Sequence, residues 1–228
     1  MLDAVDAAPQ PANYFRNTRP EIVPFVPAQR RRVLEVGCGE GAFAGSLEGV
    51  EERWGIEPNG PSAAIAAERL DRVFASGVEE AVESLPDGYF DVVVVNDVIE
   101  HLPDHDWFLD RVKRHIAPGG VLVGSLPNVR YYHTLCELIL ERDWCYRDCG
   151  ILDRTHVHFF TEKSIRRLFA AHGYAVARLD PINRFADTHP NNRTWLYRLL
   201  AHAAIVGSAG YFRDIAFLQF AFQARPLA

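Results

Sequence analysis

Short apolar runs alternate with helix-period stretches along most of the chain. Val33–Val36 and, above all, Tyr89–Asn96 are too continuously apolar for half-exposed strands and read as strands covered on both faces. Trp54–Glu57 and Arg72–Ala75 are shorter strands of the same kind, and Val121–Leu126 is a fifth. Between them Ala42–Leu47, the alanine-rich Pro61–Leu70 and Trp107–Ile116 read as helices, the last stopped by Pro118-Gly119-Gly120. A further helix opens at Thr161. Its N-cap rests on Thr161 alone, because position 164 is Ser and not the Glu or Gln of a capping box. Tyr174–Leu179 is a sixth strand, Trp195–Val206 an added helix, and the alternating Phe217–Ala224 a seventh strand. Strand and helix in turn predict an α/β, doubly wound sheet in one domain spanning residues 1–228.

Three stretches fall outside that alternation. Residues 1–32 form an arm with five prolines, at 9, 11, 20, 24 and 27, so only a short helix over Arg19–Phe25 fits. Within it Tyr14 and Phe15 either pack over the cleft as part of a lid or anchor the arm on the core. Residues 129–160 are an aromatic-rich insertion carrying His133, Trp144, Tyr146, His156 and His158, expected over the carboxyl edge of the sheet, where acceptor specificity would be built. Residues 183–213 are a second insertion, over or beside the cleft, whose apolar, aromatic face either covers the cleft, forms a dimer surface or, as preferred, packs on the core.

Composition bounds the partners. A length of 228 residues with 48% hydrophobic content supports one sizeable core. The formal charge of −6 offers no footprint for nucleic acid, and Arg30-Arg31-Arg32 reads as a solvated lead-in to the first strand. Asp3 and Asp6 at the start, with no apolar segment, predict a cytoplasmic chain. Leu196–Phe217 is broken by Arg198, His202, Arg213 and Asp214 and fails as a membrane span. Four dispersed cysteines do not suggest a disulfide scaffold. Cys145 and Cys149 with His156 and His158 can be written as a zinc set, at loose spacing.

The chemistry is concentrated where the first strand meets its helix. Gly37, Gly39 and Gly41 free the backbone to bend and to approach a ligand, but their spacing differs by one from the dinucleotide fingerprint. Glu35 and Glu40 in and before the turn would repel a pyrophosphate and suit a ligand carrying an ammonium and a sulfonium, as S-adenosylmethionine does. Glu57, 20 residues after Gly37, is placed for a ribose hydroxyl pair. Asn96 and Asp97 end the central strand at the same mouth of the cleft. If a helical turn starts at Asp97, then Asp97, Glu100 and His101 project from one face.

Glu35, the three glycines and Glu57 together resemble the E/D-x-G-x-G-x-G motif of the class I S-adenosylmethionine-dependent methyltransferases. The resemblance implies a Rossmann-like seven-stranded sheet whose last strand is antiparallel, with a cap insertion, and S-adenosyl-L-methionine as cofactor. It implies that Gly77 and Val78, just past the third strand, flank the adenine. It makes His101 a general base for a hydroxyl, with His156 sharing that role or orienting the acceptor; the alternative has Glu100 and His101 only shape the turn. The run Leu152-Asp153-x-Thr155-His156-x-x-Phe159-Phe160-Thr161 resembles a bacterial subgroup linked to cell-surface glycan and secondary biosynthesis, so the implied acceptor is a sugar, a glycan or another small hydroxylated intermediate, methylated by in-line displacement. A fainter likeness, through Glu100, His101 and His156, is to metal-dependent methyltransferases of the terminal ribose of small RNAs, with Asp97 standing for the first glutamate of their set. The metal-free form is preferred, since Asp97 shortens that ligand arm and nothing else in the chain fixes the geometry. A non-catalytic S-adenosylmethionine-binding subunit is the remaining alternative.

Overall fold

The structure, a computed structural model, describes residues 16–186 and 194–227. Tyr14 and Phe15 lie outside them. Seven strands form one sheet: β1 (Arg32–Val36), β2 (Glu52–Ile56), β3 (Arg72–Phe74), β4 (Phe90–Asn96), β5 (Ile116–Pro127), β6 (Tyr174–Arg184) and β7 (Phe217–Pro226). Their order is β3-β2-β1-β4-β5-β7-β6. The first five run parallel, while β7 is antiparallel to both β5 and β6. The strand order reverses between β1 and β4, and the carboxyl ends of the parallel strands there face one cleft.

The period of two along β4 decides what covers each face. Val93 and Val95 point into a cluster with Phe108, Leu109 and Val112 of α4 (His105–Val112) and Ile165 and Phe169 of α6 (Glu162–Ala171). Val92 and Val94 point the other way, onto Phe43 of α1 (Ala42–Ser46) and onto Ile22, Phe25 and Val26. The proline-rich arm therefore supplies part of the second covering layer. Its Val23–Phe25 segment is a single 3₁₀ turn, with Pro24 in the first positions, where a missing N–H costs nothing.

Two local expectations are corrected. The helix read as Trp107–Ile116 ends in α4 at Val112, because a 3₁₀ turn over Lys113–His115 frees Ile116 to pair with Phe90. Pro118, Gly119 and Gly120 lie inside β5 at an irregularity of register, with Gly119 at φ 82° and residues 118–119 exposed, so they bend a strand and do not stop a helix. At the start of α6 the Ser164 hydroxyl does complete a capping box: Thr161 Oγ1 accepts from the Ser164 N–H at 3.2 Å and Ser164 Oγ accepts from the Thr161 N–H at 2.8 Å.

The insertions make a separate layer. Tyr131 and Tyr132, at the start of α5 (Tyr132–Cys136), and Ile151 and Leu152 of the loop bury against Tyr197 and Ala201 of α7 (Thr194–Gly207) and against Ile215. This cluster is distinct from the two that line the sheet. Among the described residues no helix is long and apolar enough to cross a membrane. All four cysteines are unpaired.

Candidate functional site

The glycine turn is held by the strand beside it. Gly37, Gly39 and Gly41 all sit at positive φ, 69°, 53° and 73°, and a Cβ at Gly37 would lie 2.8 Å from Val98 Cγ2. The N–H groups of Gly37 and Cys38 both donate to the Ile56 carbonyl, at 2.8 and 3.1 Å. Glu57, next along, accepts from Gly39 N–H at 2.8 Å through Oε2 and from Asn59 N–H at 2.8 Å through Oε1. Each oxygen keeps a further lone-pair direction for a ligand hydroxyl. Glu35 is buried beneath the turn, where Oε2 accepts from Ala44 N–H at 3.0 Å. It thereby caps a helix whose own N-cap, Gly41, has no side chain to do so. Burial pushes its carboxyl up to about 8, against the opposing effects of that hydrogen bond and of Arg19.

Glu35, Gly37, Gly39, Gly41 and Glu57 thus form one bonded unit. Asn96 ends β4, and both atoms of its side-chain amide are buried without a hydrogen-bond partner among the described residues, an arrangement that suits a ligand-facing group. Gly77 is the N-cap of α3 (Val78–Ala81) just past β3, while the Val78 side chain sits in the main core, so an adenine would meet its backbone. Glu40, also buried, pairs with Arg16 at 2.9 Å and with Arg69 at 3.9 Å.

Asp97 behaves differently from expectation. It lies at φ 52°, and the turn after it is a 3₁₀ turn over Ile99–His101, so Asp97 does not share a face with Glu100 and His101. Its carboxylate instead receives Arg19 Nη1 at 2.6 Å, Ser125 Oγ at 2.7 Å and Gln219 Nε2 at 2.8 Å. Burial would raise its pKa, but the Arg19 guanidinium and these hydrogen bonds outweigh that and hold it below the usual range. Arg19 Nη2 also donates to Ser125 Oγ at 2.6 Å. A guanidinium from the arm is thereby set among Glu35, Asp97 and Glu100.

The second half of the site joins the turn after β4 to the 129–160 insertion. The N–H groups of Val157 and His158 both donate to the Glu100 carbonyl, at 2.9 and 3.2 Å. His101 and His156 consequently meet with ring centroids 4.6 Å apart. Thr155 Oγ1 donates its proton to Asp153 Oδ1 at 2.6 Å, so at its 3.0 Å contact with His101 Nδ1 it accepts. That fixes the proton of neutral His101 on Nδ1 and leaves a lone pair on Nε2. His156 Nδ1 likewise donates to the Ile151 carbonyl at 2.9 Å, so that in the neutral ring Nε2 is the atom with the lone pair. Burial, with the neighbouring His156, lowers the pKa of His101 and favours this neutral form. Glu100 is fully buried, its two oxygens have no hydrogen-bond partner among the described residues, and burial followed by the charge of Asp97 raises its pKa well above the usual range. The zinc set is overturned. Among the described residues Cys145 and Cys149 join no cluster of potential metal ligands, His156 faces Glu100 and His101, and the His158 ring lies tilted against His105 with centroids 4.1 Å apart.

Sequence reasoning passed over Arg19, Ser125, Gln219, Asp153 and Thr155. Only the last two carried a signal, the Asp-x-Thr-His run itself. The other three come from distant parts of the chain and converge only in the folded sheet.

Residues 12–179 match the sequence model of a family described as a methyltransferase domain. A probable S-adenosylmethionine-dependent methyltransferase of Mycolicibacterium smegmatis is 40% identical over 188 residues, 77% of this chain and 71% of its own length. A ubiquinone biosynthesis O-methyltransferase of Alkalilimnicola ehrlichii is 34% identical over 43% of this chain and 42% of its own. The crystal structure of a SAM-dependent methyltransferase from Archaeoglobus fulgidus superposes with a TM-score of 0.62 at 20% identity, covering 90% of this chain and 89% of that one, a likeness of fold.

Proposed function

Since the chain belongs to the class I S-adenosylmethionine-dependent methyltransferases, with S-adenosylmethionine as its methyl donor, we propose that it methylates a hydroxyl oxygen of a sugar, glycan or other small biosynthetic intermediate. The observation that carries the reading is the pair of His101 and His156 rings, each engaged by the protein through Nδ1 and so offering Nε2, presented together beside the carboxyl end of β4. Two such acceptors suit an incoming hydroxyl and have no use in donor binding alone. The name of the Alkalilimnicola relative, an O-methyltransferase, agrees with transfer to oxygen.

The donor half is assigned to Glu35, Gly37, Gly39 and Gly41 around the methionyl group, Glu57 on the ribose, Gly77 and Val78 beside the adenine, and Asn96 and Asp97 at the mouth. Arg19 supplies the cation for the donor carboxylate, while Glu35 and Asp97 face its ammonium and sulfonium. The hydroxyl oxygen attacks the methyl carbon in line with the breaking C–S bond, the electron pair passes to sulfur, and S-adenosylhomocysteine leaves. The sulfonium is already an activated leaving group, so alignment, exclusion of water and removal of the hydroxyl proton are what the protein adds.

The test is methyl transfer from labelled donor to separated pools of nucleotide sugars, glycans, other small metabolites and RNA. Label in the sugar or glycan pool is expected. Label confined to nitrogen or carbon of the products, or to RNA, would overturn the acceptor.

A further inference from the structure

We propose that Glu100, His101 and His156 bind a divalent transition-metal ion, and that this ion holds the acceptor hydroxyl. The inference rests on the methyl-transfer reading above and says how the two histidines meet the acceptor. Glu100, His101 and His156 each offer one ligand atom, and these atoms lie within 4.8 Å of one another; among the described residues no other group of three or more His, Cys, Asp or Glu does so. The donor set is two neutral imidazoles and one carboxylate, which suits manganese, cobalt, iron or zinc and leaves coordination positions for substrate oxygens. His156 Nε2 and Glu100 Oε1 are 4.0 Å apart, close to the span that two ligands at about 2.1 Å from a common ion can bridge.

Three features separate this group from a chance cluster. Glu100 is wholly buried with no hydrogen-bond partner for either oxygen among the described residues, a costly arrangement for any carboxyl group unless something else is bound there. Both histidines use Nδ1 to donate into the protein, His101 through Thr155 to Asp153 and His156 to the Ile151 carbonyl, and both therefore turn an Nε2 lone pair inward. Such outer hydrogen bonds are what orient and fix the tautomer of metal-bound imidazoles. The site is also rigidly assembled, since two backbone N–H groups clamp the His156 loop onto Glu100. The metal-free preference rested on an Asp97 that would be one of the ligands and on the lack of anything to fix the geometry. Asp97 is bound elsewhere, and the Asp153-Thr155 and Ile151 contacts supply the fixing.

An ion in this group would lower the pKa of a coordinated hydroxyl, so that its proton passes to solvent and the resulting alkoxide attacks the methyl carbon. No redox change is involved.

The experiment uses the full chain, stripped by chelation and dialysed, titrated with Co²⁺ and Mn²⁺ alone. Saturable one-to-one heat with Mn²⁺ and a visible Co²⁺ band at submillimolar ion are expected. Glu100→Gln, His101→Asn and His156→Asn should each abolish the band, and Thr155→Val, which leaves the ligand atoms in place, should weaken affinity about 10- to 100-fold. Donor affinity, measured on the same samples, separates misfolding from loss of the ion: a variant that still binds S-adenosylmethionine but not cobalt supports the site. Absence of binding by the stripped wild-type chain, or binding indifferent to all three ligand substitutions, overturns it. Loss of donor binding by the wild type would instead count against the methyl-transfer reading.

Discussion

At the scale of single residues, the donor half of the site makes two commitments. Glu35 carries its proton at neutral pH in the unliganded fold, because burial lifts its carboxyl to about 8. A bound ammonium and sulfonium would pull it down again, so donor binding near pH 7 should release a proton. Calorimetry in buffers of different ionisation enthalpy reads this directly, and Glu35→Gln should abolish the buffer dependence. An unchanged dependence in that variant would remove Glu35 from the linkage. Glu57→Ala and Arg19→Ala should each weaken S-adenosylmethionine by about 1.5–3 kcal/mol, through lost bonds to the ribose and to the carboxylate. Methylthioadenosine, which has the ribose but no carboxylate, should feel only the first; equal losses for both ligands in Arg19→Ala would contradict the assignment. The glycines and the two glutamates could be read from sequence because their meaning is local: a strand, a turn and an acid at fixed spacing. Arg19 could not be, since its partners Asp97 and Ser125 lie 78 and 106 residues away.

At the scale of elements, α6 and its neighbourhood give two stability predictions. Thr161→Ala removes an N-cap that accepts from Ser164 N–H and should cost about 1 kcal/mol in chemical denaturation, independently of pH. His172, just past the end of α6, contacts Asp106 and Asp110 of α4 at 2.9 and 3.0 Å. Burial alone would lower its pKa, but these two carboxylates raise it above the ordinary value. The folded state therefore binds the proton more tightly than the unfolded chain. The resulting stabilisation is fully present below the unfolded value of about 6.5 and is lost as pH rises through the raised one. His172→Gln should accordingly cost up to about 1 kcal/mol at about pH 5.5 and almost nothing from this pair at about pH 8.5. An equal loss at both would assign His172 to packing. All seven strands were legible from apolar periodicity. The end of α4 was not, because Pro118-Gly119-Gly120 has the same composition whether it stops a helix or kinks a strand, and only the Phe90–Ile116 pairing decides. The capping box was missed because Ser164 does the work of the expected Glu or Gln with a shorter side chain.

At the scale of the whole molecule, the sheet and the cap are separately packed, which sequence could suggest only as two insertions beside a cleft. Nothing in either stretch announces that Tyr131 and Ile151 of one share a core with Tyr197 and Ala201 of the other. The second stretch also enters and leaves through adjacent places: Arg184 of β6 pairs with Phe217 of β7, and Phe185 N–H donates to the Ala216 carbonyl at 2.7 Å. Replacing residues 186–215 by a two-residue hairpin turn should therefore leave donor binding intact while acceptor turnover disappears, as paired calorimetry and labelling would record. Loss of donor binding would mean that the two layers are not energetically separate. A segment whose ends already touch can be lifted out and replaced as one contiguous block, with no second cut elsewhere in the chain. If that block walls the acceptor side of the cleft, substrate range is in that sense portable: a foreign loop spliced between Phe185 and Ala216 would bring a new acceptor wall to an inherited methyl donor machine, provided it matches both the hairpin beneath it and the face offered by Tyr131 and Ile151.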